Sequence, residues 1–413
     1  MKAEIIAIGD ELLIGQVVNT NAVWIAGELN TIGVTVARNT VVGDDAGDIR
    51  QAVDYALKTV DIVLITGGLG PTKDDITKKA LSDFFGGKMF FHQDIYEHIK
   101  ELFAAKGIPF NDLNKSQAEL PDICEIIPND IGSASGMLFR KGKKIVVAMP
   151  GVPFEMKHMM QQHVLPLIKR EFSLPYILHY TVMTTGMVES ELAKKIESWE
   201  NGLPPDISLA YLPRPGIVRL RLTAKGQDKI ALENIVSQKI SELKEIIPDL
   251  IFGYNDISLE EVVGNLLKQR NLTLSTAESC TGGNISRMLT SIPGSSAYFM
   301  AGIVAYSYEA KEVLLGVDHD TLVKYGAVSE EVAKQMADGV RKRTGTHYAV
   351  SVTGIAGPGG GLPNKPVGTV WIAVSSAEKT FAKLFRFGND RLRNIQRASI
   401  AALNMLRLEL IKK

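Results

Sequence analysis

"DIVLITGGLGPTKDD", Asp61 to Asp75, starts as an unbroken apolar run, opens into a glycine-rich turn and ends on two carboxylates. An apolar run without polar alternation is a strand buried on both faces, which belongs in a parallel sheet covered by helices. The neighbouring stretches agree. "AEIIAIG" and "VTVARNTVVG" read as strands, each followed by a helix, Thr20–Leu29 and Ala46–Leu57. "KKIVVAMPG" is a later strand, followed by a helix through "FEMKHMMQQHVLPLI". The first domain is therefore a mainly parallel α/β layer structure, with an end expected near Phe172.

In such sheets ligands bind outside the carboxyl ends of the strands. The loop after "DIVLIT" carries Gly67, Gly68, Gly70 and Thr72. No GK[ST] follows at Walker A spacing, and Lys73 stands where a dinucleotide fingerprint needs its third glycine. What remains is a cradle of backbone amides for a nucleotide phosphate. Asp74 and Asp75 lie one turn beyond it, and Asp10 and Glu11 follow the first strand. Carboxylates beside a phosphate cradle suit Mg²⁺ or a similar divalent ion. The competing role is capping of the helix "DITKKALSDFF", which either Asp74 or Asp75 is expected to perform.

The 413 residues exceed one ordinary core. A hydrophobic fraction of 45% and a charged fraction of 22% are those of a globular protein. Lys+Arg and Asp+Glu are equal at 46 each, so bulk charge gives no drive toward nucleic acid. Cys124 and Cys280 are the only cysteines, which argues against a disulfide framework and suits a reducing compartment. The apolar start "MKAEIIAIG" is broken at once by Asp10 and Glu11. No signal peptide or membrane span is expected from it, and the cytoplasm is the expected location.

Tyr176 to about Leu250 reads β-α-β-β-α, a small KH-like α+β module. It has no GXXG loop, and nine Lys/Arg face ten Asp/Glu. A spacer or assembly role is expected rather than nucleic-acid binding. From Ser258 onward the chain is α/β again. "SLEEVVGNLLKQR" is a helix with Ser258 as cap, and "LTLST", "YFMAGIVAYS", "HYAVSVTG" and "GTVWIAVSS" are strands. A closing helix runs from about Arg391 to Ile411.

"STAESCTGGNIS", Ser275 to Ser286, sets Ser279 and Cys280 on a strand-to-helix turn. Helix N-terminal amides around Cys280 to Gly283 can hold an oxyanion there, while Gly282 and Gly283 allow a ligand close to the backbone. Either side chain is a possible nucleophile, and Ser279 as a helix cap is the competing role. Few histidines are near, so a neutral lysine is the candidate base. Lys311, in the first turn of a helix capped by Ser307 in "AYSYEAKEVLLG", qualifies if burial and the helix dipole depress its pKa.

"IGDELLIGQVVNTNA", "TGGLGPTKDD", "GSASGM" and "MPGVPFEM" together resemble the N-terminal domain of the CinA family, the competence/damage-inducible proteins. That resemblance implies a MogA-like, molybdopterin-binding-type fold with metal-dependent ADP-ribose pyrophosphatase activity. "TAESCTGG", "PGSS", "VAYSYEAK", "GAVSEEVA", "TGIAGPGG", "GTV" and "GNDR" resemble the family's C-terminal domain, whose stand-alone relatives are nicotinamide mononucleotide deamidases. The family's Ser-Lys dyad falls on Ser279 and Lys311, which makes Cys280 a neighbour of the nucleophile. For that substrate, Thr276, Cys280, Thr281, Gly282 and Gly283 would surround the reacting group. Ser295, Ser296, Thr353, Gly354, Gly357 and Arg391 would hold the phosphate end, with Tyr306 on the ring. Arg393 and Arg397 compete with Arg391.

The expected organisation is residues 1–172, 173–253 and 254–413. The first part is expected to use a divalent metal and the deamidase none. Expected partners are nicotinamide mononucleotide, ADP-ribose and a second copy of the chain in a homodimer, with no membrane. A molybdopterin or nucleotide adenylyl-transfer enzyme and a nucleic-acid-binding competence accessory are the alternatives.

Overall fold

Six strands of the first domain build one sheet: β1 (Lys2–Ile8), β2 (Thr35–Val42), β3 (Ile62–Thr66), β4 (Glu125–Ile127), β5 (Gly136–Lys141) and β6 (Lys144–Met149), in the order β2-β1-β3-β6-β5-β4, while Met89–Phe91 and Glu119–Pro121 form a separate antiparallel pair. The computed structural model describes every residue except Lys73, Ile108 and Lys413, and the side chains of all of these except Asp112 and Leu113. The reading of Lys73 at the third-glycine position therefore lies outside the described residues. The chain divides into two compact units, Met1–Leu178 with Lys225–Lys229, and His179–Ala224 with Ile230–Lys413.

In the first unit β2, β1, β3 and β6 run parallel, and β5 and β4 add an antiparallel edge. Helices α1 (Thr20–Thr31), α2 (Ala46–Thr59) and α3 (Thr77–Phe85) cover it. Successive strand residues point to opposite faces. Ile6, Val63 and Ile65 join Ile49, Val53 and Leu81 on one side, while Ile5, Leu64 and Val147 join Ile25, Leu29 and Met156 on the other. Two cores explain the unbroken apolar runs at residues 5–8, 62–65 and 145–149.

The second unit holds a four-stranded and a five-stranded sheet. The first is built from β7 (Tyr176–Thr185), α4 (Glu189–Asn201), β8 (Ile207–Arg214), β9 (Ile217–Gly226), α5 (Lys229–Ile246) and β10 (Ile251–Tyr254), in the order β8-β9-β7-β10. Strand β10 is absent from the sequence reading. The other comprises α6 (Leu259–Gln269), β11 (Leu274–Glu278), α7 (Asn284–Thr290), β12 (Phe299–Val304), α8 (Tyr308–Leu315), α9 (Glu330–Thr344), β13 (Tyr348–Gly354), β14 (Thr369–Ser375), β15 (Thr380–Arg386) and α10 (Arg391–Ile411). Its order is β12-β11-β13-β14-β15, with β11 parallel to both neighbours and β14 and β15 antiparallel.

One face of this sheet packs Leu274, Val352 and Ile372 on α6 and α10, and the other packs Ala277 and Ala349 against Leu315, Val332 and Met336. Met183 and Phe252 of the KH-like module belong to the first of these clusters. Buried Arg407 on α10 also donates to the carbonyls of Ile251, at 3.1 Å, and Asp249. The expected spacer thus shares a core with the third segment. No helix among the described residues is long and apolar enough to cross a membrane.

Candidate active site

Ser279 is the first residue past β11, at the carboxyl end of the strand flanked by two parallel neighbours. Its amide donates to the Val352 carbonyl of β13 at 2.9 Å. The preceding residue shapes the turn. The carboxylate of fully buried Glu278 accepts from the amides of Gly283 (3.1 Å), Ile285 (3.0 Å) and Ser286 (2.8 Å), and from the Ser286 hydroxyl (2.7 Å). A carboxylate on the N-terminal amides of α7 satisfies otherwise orphaned donors and meets the positive end of the helix dipole. It pins the helix start against the strand end and leaves Ser279 to Gly282 as a tight turn. Gly283, at φ +94°, is the cap position of α7, so Ser279 does not cap it.

This arrangement corrects the expected oxyanion site. Gly283 donates to Glu278, and Gly282 donates to the Ser279 carbonyl at 3.1 Å. The amides of Cys280 and Thr281 have no acceptor among the described residues. The Thr281 hydroxyl is buried without a partner. Thr276 is also displaced from the expected site. Because β11 extends to Glu278, Thr276 lies inside the strand, fully buried, with its hydroxyl on that of Ser286 at 2.8 Å.

Lys311 reaches Ser279 from α8. The Ser307 hydroxyl caps that helix by accepting from the Ala310 amide. Lys311 Nζ lies 3.1 Å from Ser279 Oγ, 2.8 Å from the Ala305 carbonyl and 3.1 Å from that of Tyr306. The residue is 1% exposed, and burial pulls its amine down from 10.5 to about 8. Burial acts oppositely on the neighbouring thiol: Cys280 is pushed up to about 12 and stays protonated at neutral pH. Of the two candidate nucleophiles, only the serine has a base in contact.

Cys280, Tyr306, Thr353, Gly354 and Arg391 line a cavity of about 190 Å³ with the dyad. Ala327, Val328 and Ala356 complete the lining and were not singled out from the sequence. Arg391, the first residue of α10, donates to the Gly357 carbonyl at 2.8 Å and to the Tyr306 hydroxyl at 3.2 Å. A guanidinium at a helix N-terminus suits a phosphate. Arg397 lines a different cavity, and the Arg393 amide is occupied by the Asp390 cap. Ser295 and Ser296 are not brought here. They precede β12, whose first residue pairs with Leu274 at the start of β11, so they lie at the opposite end of the sheet from Ser279.

In the first unit, the glycine loop is more occupied than a free cradle. The Gly67 amide donates to the Met149 carbonyl at 3.1 Å, and the Thr72 amide and hydroxyl donate to Asp75 at 2.8 and 2.5 Å. A Cβ on Gly68 would stand 2.2 Å from the Thr77 hydroxyl, so this glycine serves close packing of α3. The cap position of α3 is Ile76, with no side-chain cap bond. Neither Asp74 nor Asp75 caps the helix; Asp75 closes the Thr72 turn instead. Gly70 packs against Asp75.

Asp10 and Asp44 exchange amide-to-carboxylate bonds of 3.0 and 3.3 Å. Burial, together with the charges of Asp10, Glu11 and Asp74, holds the Asp44 carboxyl above its usual range. Asp44, missed in the sequence, thus gathers three of the four expected metal residues into one acidic neighbourhood. These hard oxygen donors fit a divalent cation by chemistry. No group of three His, Cys, Asp or Glu among the described residues is close enough to form a ligand set by itself.

Family profiles cover the chain almost end to end. Residues 4–170 match the "Probable molybdopterin binding domain", 179–253 the "Damage-inducible protein CinA KH domain", and 256–410 the "CinA C-terminal domain". A CinA-like protein of Flavobacterium psychrophilum is 44% identical over 100% of this chain and 99% of its own length. The chain belongs to the CinA family. A CinA-like protein of Chloroherpeton thalassium is 47% identical over 98% of this CinA chain and 99% of its own. Among solved structures, the competence/damage inducible protein CihA from Agrobacterium tumefaciens is 42% identical; it covers 37% of this chain and 93% of that one, with a TM-score of 0.36.

Proposed function

We propose that the C-terminal domain of this CinA protein is an amidase that hydrolyses the carboxamide of nicotinamide mononucleotide. The observation that carries this reading is the contact between buried Lys311 and Ser279. A neutral lysine amine has two N–H donors and one lone pair. With the donors on the Ala305 and Tyr306 carbonyls, the lone pair is left for the Ser279 hydroxyl. Lys311 then takes the proton as Ser279 Oγ attacks the carboxamide carbon. The free amides of Cys280 and Thr281 supply the oxyanion donors. Lys311 returns the proton to the departing ammonia, leaving an acyl ester on Ser279. Water hydrolyses that ester to the carboxylic acid and restores the serine. Arg391 holds the 5′-phosphate at the cavity mouth, and Tyr306 faces the ring. Incubation with nicotinamide mononucleotide and assay of ammonia tests the reading; no ammonia above a Ser279→Ala control would reject it.

We further propose that the N-terminal domain hydrolyses ADP-ribose with a divalent ion. Support comes from the uncompensated acidity around Asp44, which a cation would relieve. One or two of the carboxylates of Asp10, Glu11, Asp44 and Asp74, together with the diphosphate oxygens of the substrate, would hold the ion, and it would supply Lewis-acid polarisation of the diphosphate. The backbone amides of Gly68 and Gly70, which have no acceptor among the described residues, are left for the phosphates. Release of AMP from ADP-ribose in the presence of Mg²⁺ tests this; pterin binding without cleavage would instead favour the molybdopterin reading.

A further inference from the structure

The KH-like module and the C-terminal sheet enclose a second cavity, of about 600 Å³, that the proposed chemistry does not use. Its size falls within the ~300–1,000 Å³ of small-molecule sites, which favour such module junctions. Its lining includes apolar Ile217, Ile400 and Met405. Lys383 and Phe385 stand two residues apart on the edge strand β15, Phe387 follows just past its end, and the two phenylalanine rings stack at 5.8 Å and 16°.

Of the four cations around the cavity, Lys383 lies over the Phe385 ring at 5.4 Å, and the other three lack partners among the described residues. Arg214 at the end of β8, Arg386 on β15 and Arg397 on α10 all line it, and none of their guanidiniums has a hydrogen bond or ion pair with a described residue. Buried Asn404 also lines it; its oxygen accepts from Arg407 Nε at 2.9 Å, and its NH₂ has no acceptor among the described residues. Three carboxylates, Glu189, Glu191 and Asp249, line the side contributed by the KH-like module. The cationic group of Lys383, Arg386 and Arg397 comes from β15 and α10, so the anion subsite belongs there.

We propose that this cavity is a nucleotide-binding site separate from the Ser279 pocket. A base would lie against Phe387, since aromatic faces accept any base by stacking and the Phe385 ring already carries Phe387 and the Lys383 ammonium. The phosphate would be held by Arg386 and Arg397, with Lys383 beside them. Helix α10 starts with Arg391 in the Ser279 cavity and reaches Arg397 six residues later, about 9 Å along its axis. The occupant therefore rests on the helix that presents Arg391. The inference stands without any assumption about Ser279 chemistry.

The test is calorimetric titration of the full chain with AMP. Arg386→Glu and Arg214→Glu change exposed side chains and should preserve the fold, checked by circular dichroism. Arg386→Glu should weaken AMP at least tenfold, Arg214→Glu should weaken it less, and Arg391→Ala should leave it unchanged. Adenosine and inorganic phosphate should each bind more weakly than AMP. Absence of AMP binding, or binding indifferent to Arg386→Glu, overturns the proposal. So does loss of binding in Arg391→Ala, which would place AMP in the Ser279 cavity. Tripolyphosphate matching AMP would reduce the site to an anion patch, and displacement of AMP by a single-stranded oligonucleotide at lower concentration would reassign the face to nucleic acid; either result also overturns it.

Discussion

Lys311 is surrounded by two carbonyls and one hydroxyl, and its pKa of about 8 makes its charge the controlling variable of the site. The rate of ammonia release should rise with pH along a limb near 8, well below the usual lysine value of 10.5. A limb at 10 or above would remove the argument for a neutral base. The same shift has a thermodynamic sign. Between pH 8 and 10.5 the unfolded chain keeps this proton and the native chain releases it, so this lysine's contribution to stability rises with pH across that window, against the opposite contribution of the raised thiols of Cys280 and Cys124. That contribution amounts to about 3 kcal/mol and should appear as the pH-dependent difference in stability between wild type and Lys311→Met, as measured by denaturant unfolding of both proteins across the window. Ser279→Ala and Lys311→Gln should each eliminate turnover, with the double variant no worse than either, because the two act as one unit. Cys280→Ser should retain most activity. Glu278 touches no substrate and acts by positioning: Glu278→Gln keeps the size of the side chain but loses the charge that binds three amides. Its kcat should fall about 10–100-fold with KM nearly unchanged, and unfolding should be easier by about 1–3 kcal/mol. A change confined to stability, with kcat intact, would make Glu278 a structural residue only.

At the scale of elements, the dyad depends on how closely α8 and α9 approach. A Cβ placed on Gly339 of α9 would lie 1.7 Å from the carbonyl oxygen of Leu315, the last residue of α8. Backbone meets backbone there, so Gly339→Ala must push α8 away and carry Lys311 with it. The expected cost is about 1–3 kcal/mol of stability, accompanied by a fall in kcat that Cys280→Ser does not share. Paired unfolding and ammonia assays would check this. Wild-type turnover in Gly339→Ala would show that the dyad tolerates movement of its helix. Edge strand β15 illustrates a different lesson. "TFAKLFR" sets Lys383 and Arg386 among apolar residues, and these charges are suited to discourage pairing with another sheet. That strand went unassigned in the sequence reading because Lys383 and Arg386 interrupt its apolar run, and the second cavity went unseen with it.

For the whole molecule, the two proposed reactions need different chemistry and should separate. Chelation by EDTA should stop ADP-ribose cleavage and leave ammonia release intact, because the Ser279 site works with amides and an amine. Asp74→Ala should cost most of the pyrophosphatase rate; equal loss of both reactions on chelation would refute two independent sites. The shared core changes where the chain can be cut. A fragment beginning at Ile257 exposes the surfaces that Met183 and Phe252 cover and leaves Arg407 without the carbonyls of Asp249 and Ile251. It should melt well below a fragment that begins at His179, as followed by thermal unfolding, and equal melting temperatures would show that the module adds nothing to the core.

The sequence by itself determined the α/β layers and the strand-to-helix turn at Ser279, since continuous apolar strands, paired glycines and a capped helix are local signals, and it offered Lys311 as a candidate base that the family resemblance paired with Ser279. Tertiary structure decided what each backbone donor was free to do. Glu278 removes Gly283 from the oxyanion site, Asp75 turns to Thr72 and not to α3, and Asp44 joins the acidic group from a different strand end. Likewise "PGSS" stands close to Ser279 in the chain but lies at the far end of β11, because a strand and a helix carry the chain across the sheet and back before β12 begins. Spacing along the chain specifies which side chains exist near a turn. Which hydrogen bonds they keep depends on partners that only folding brings within 3 Å.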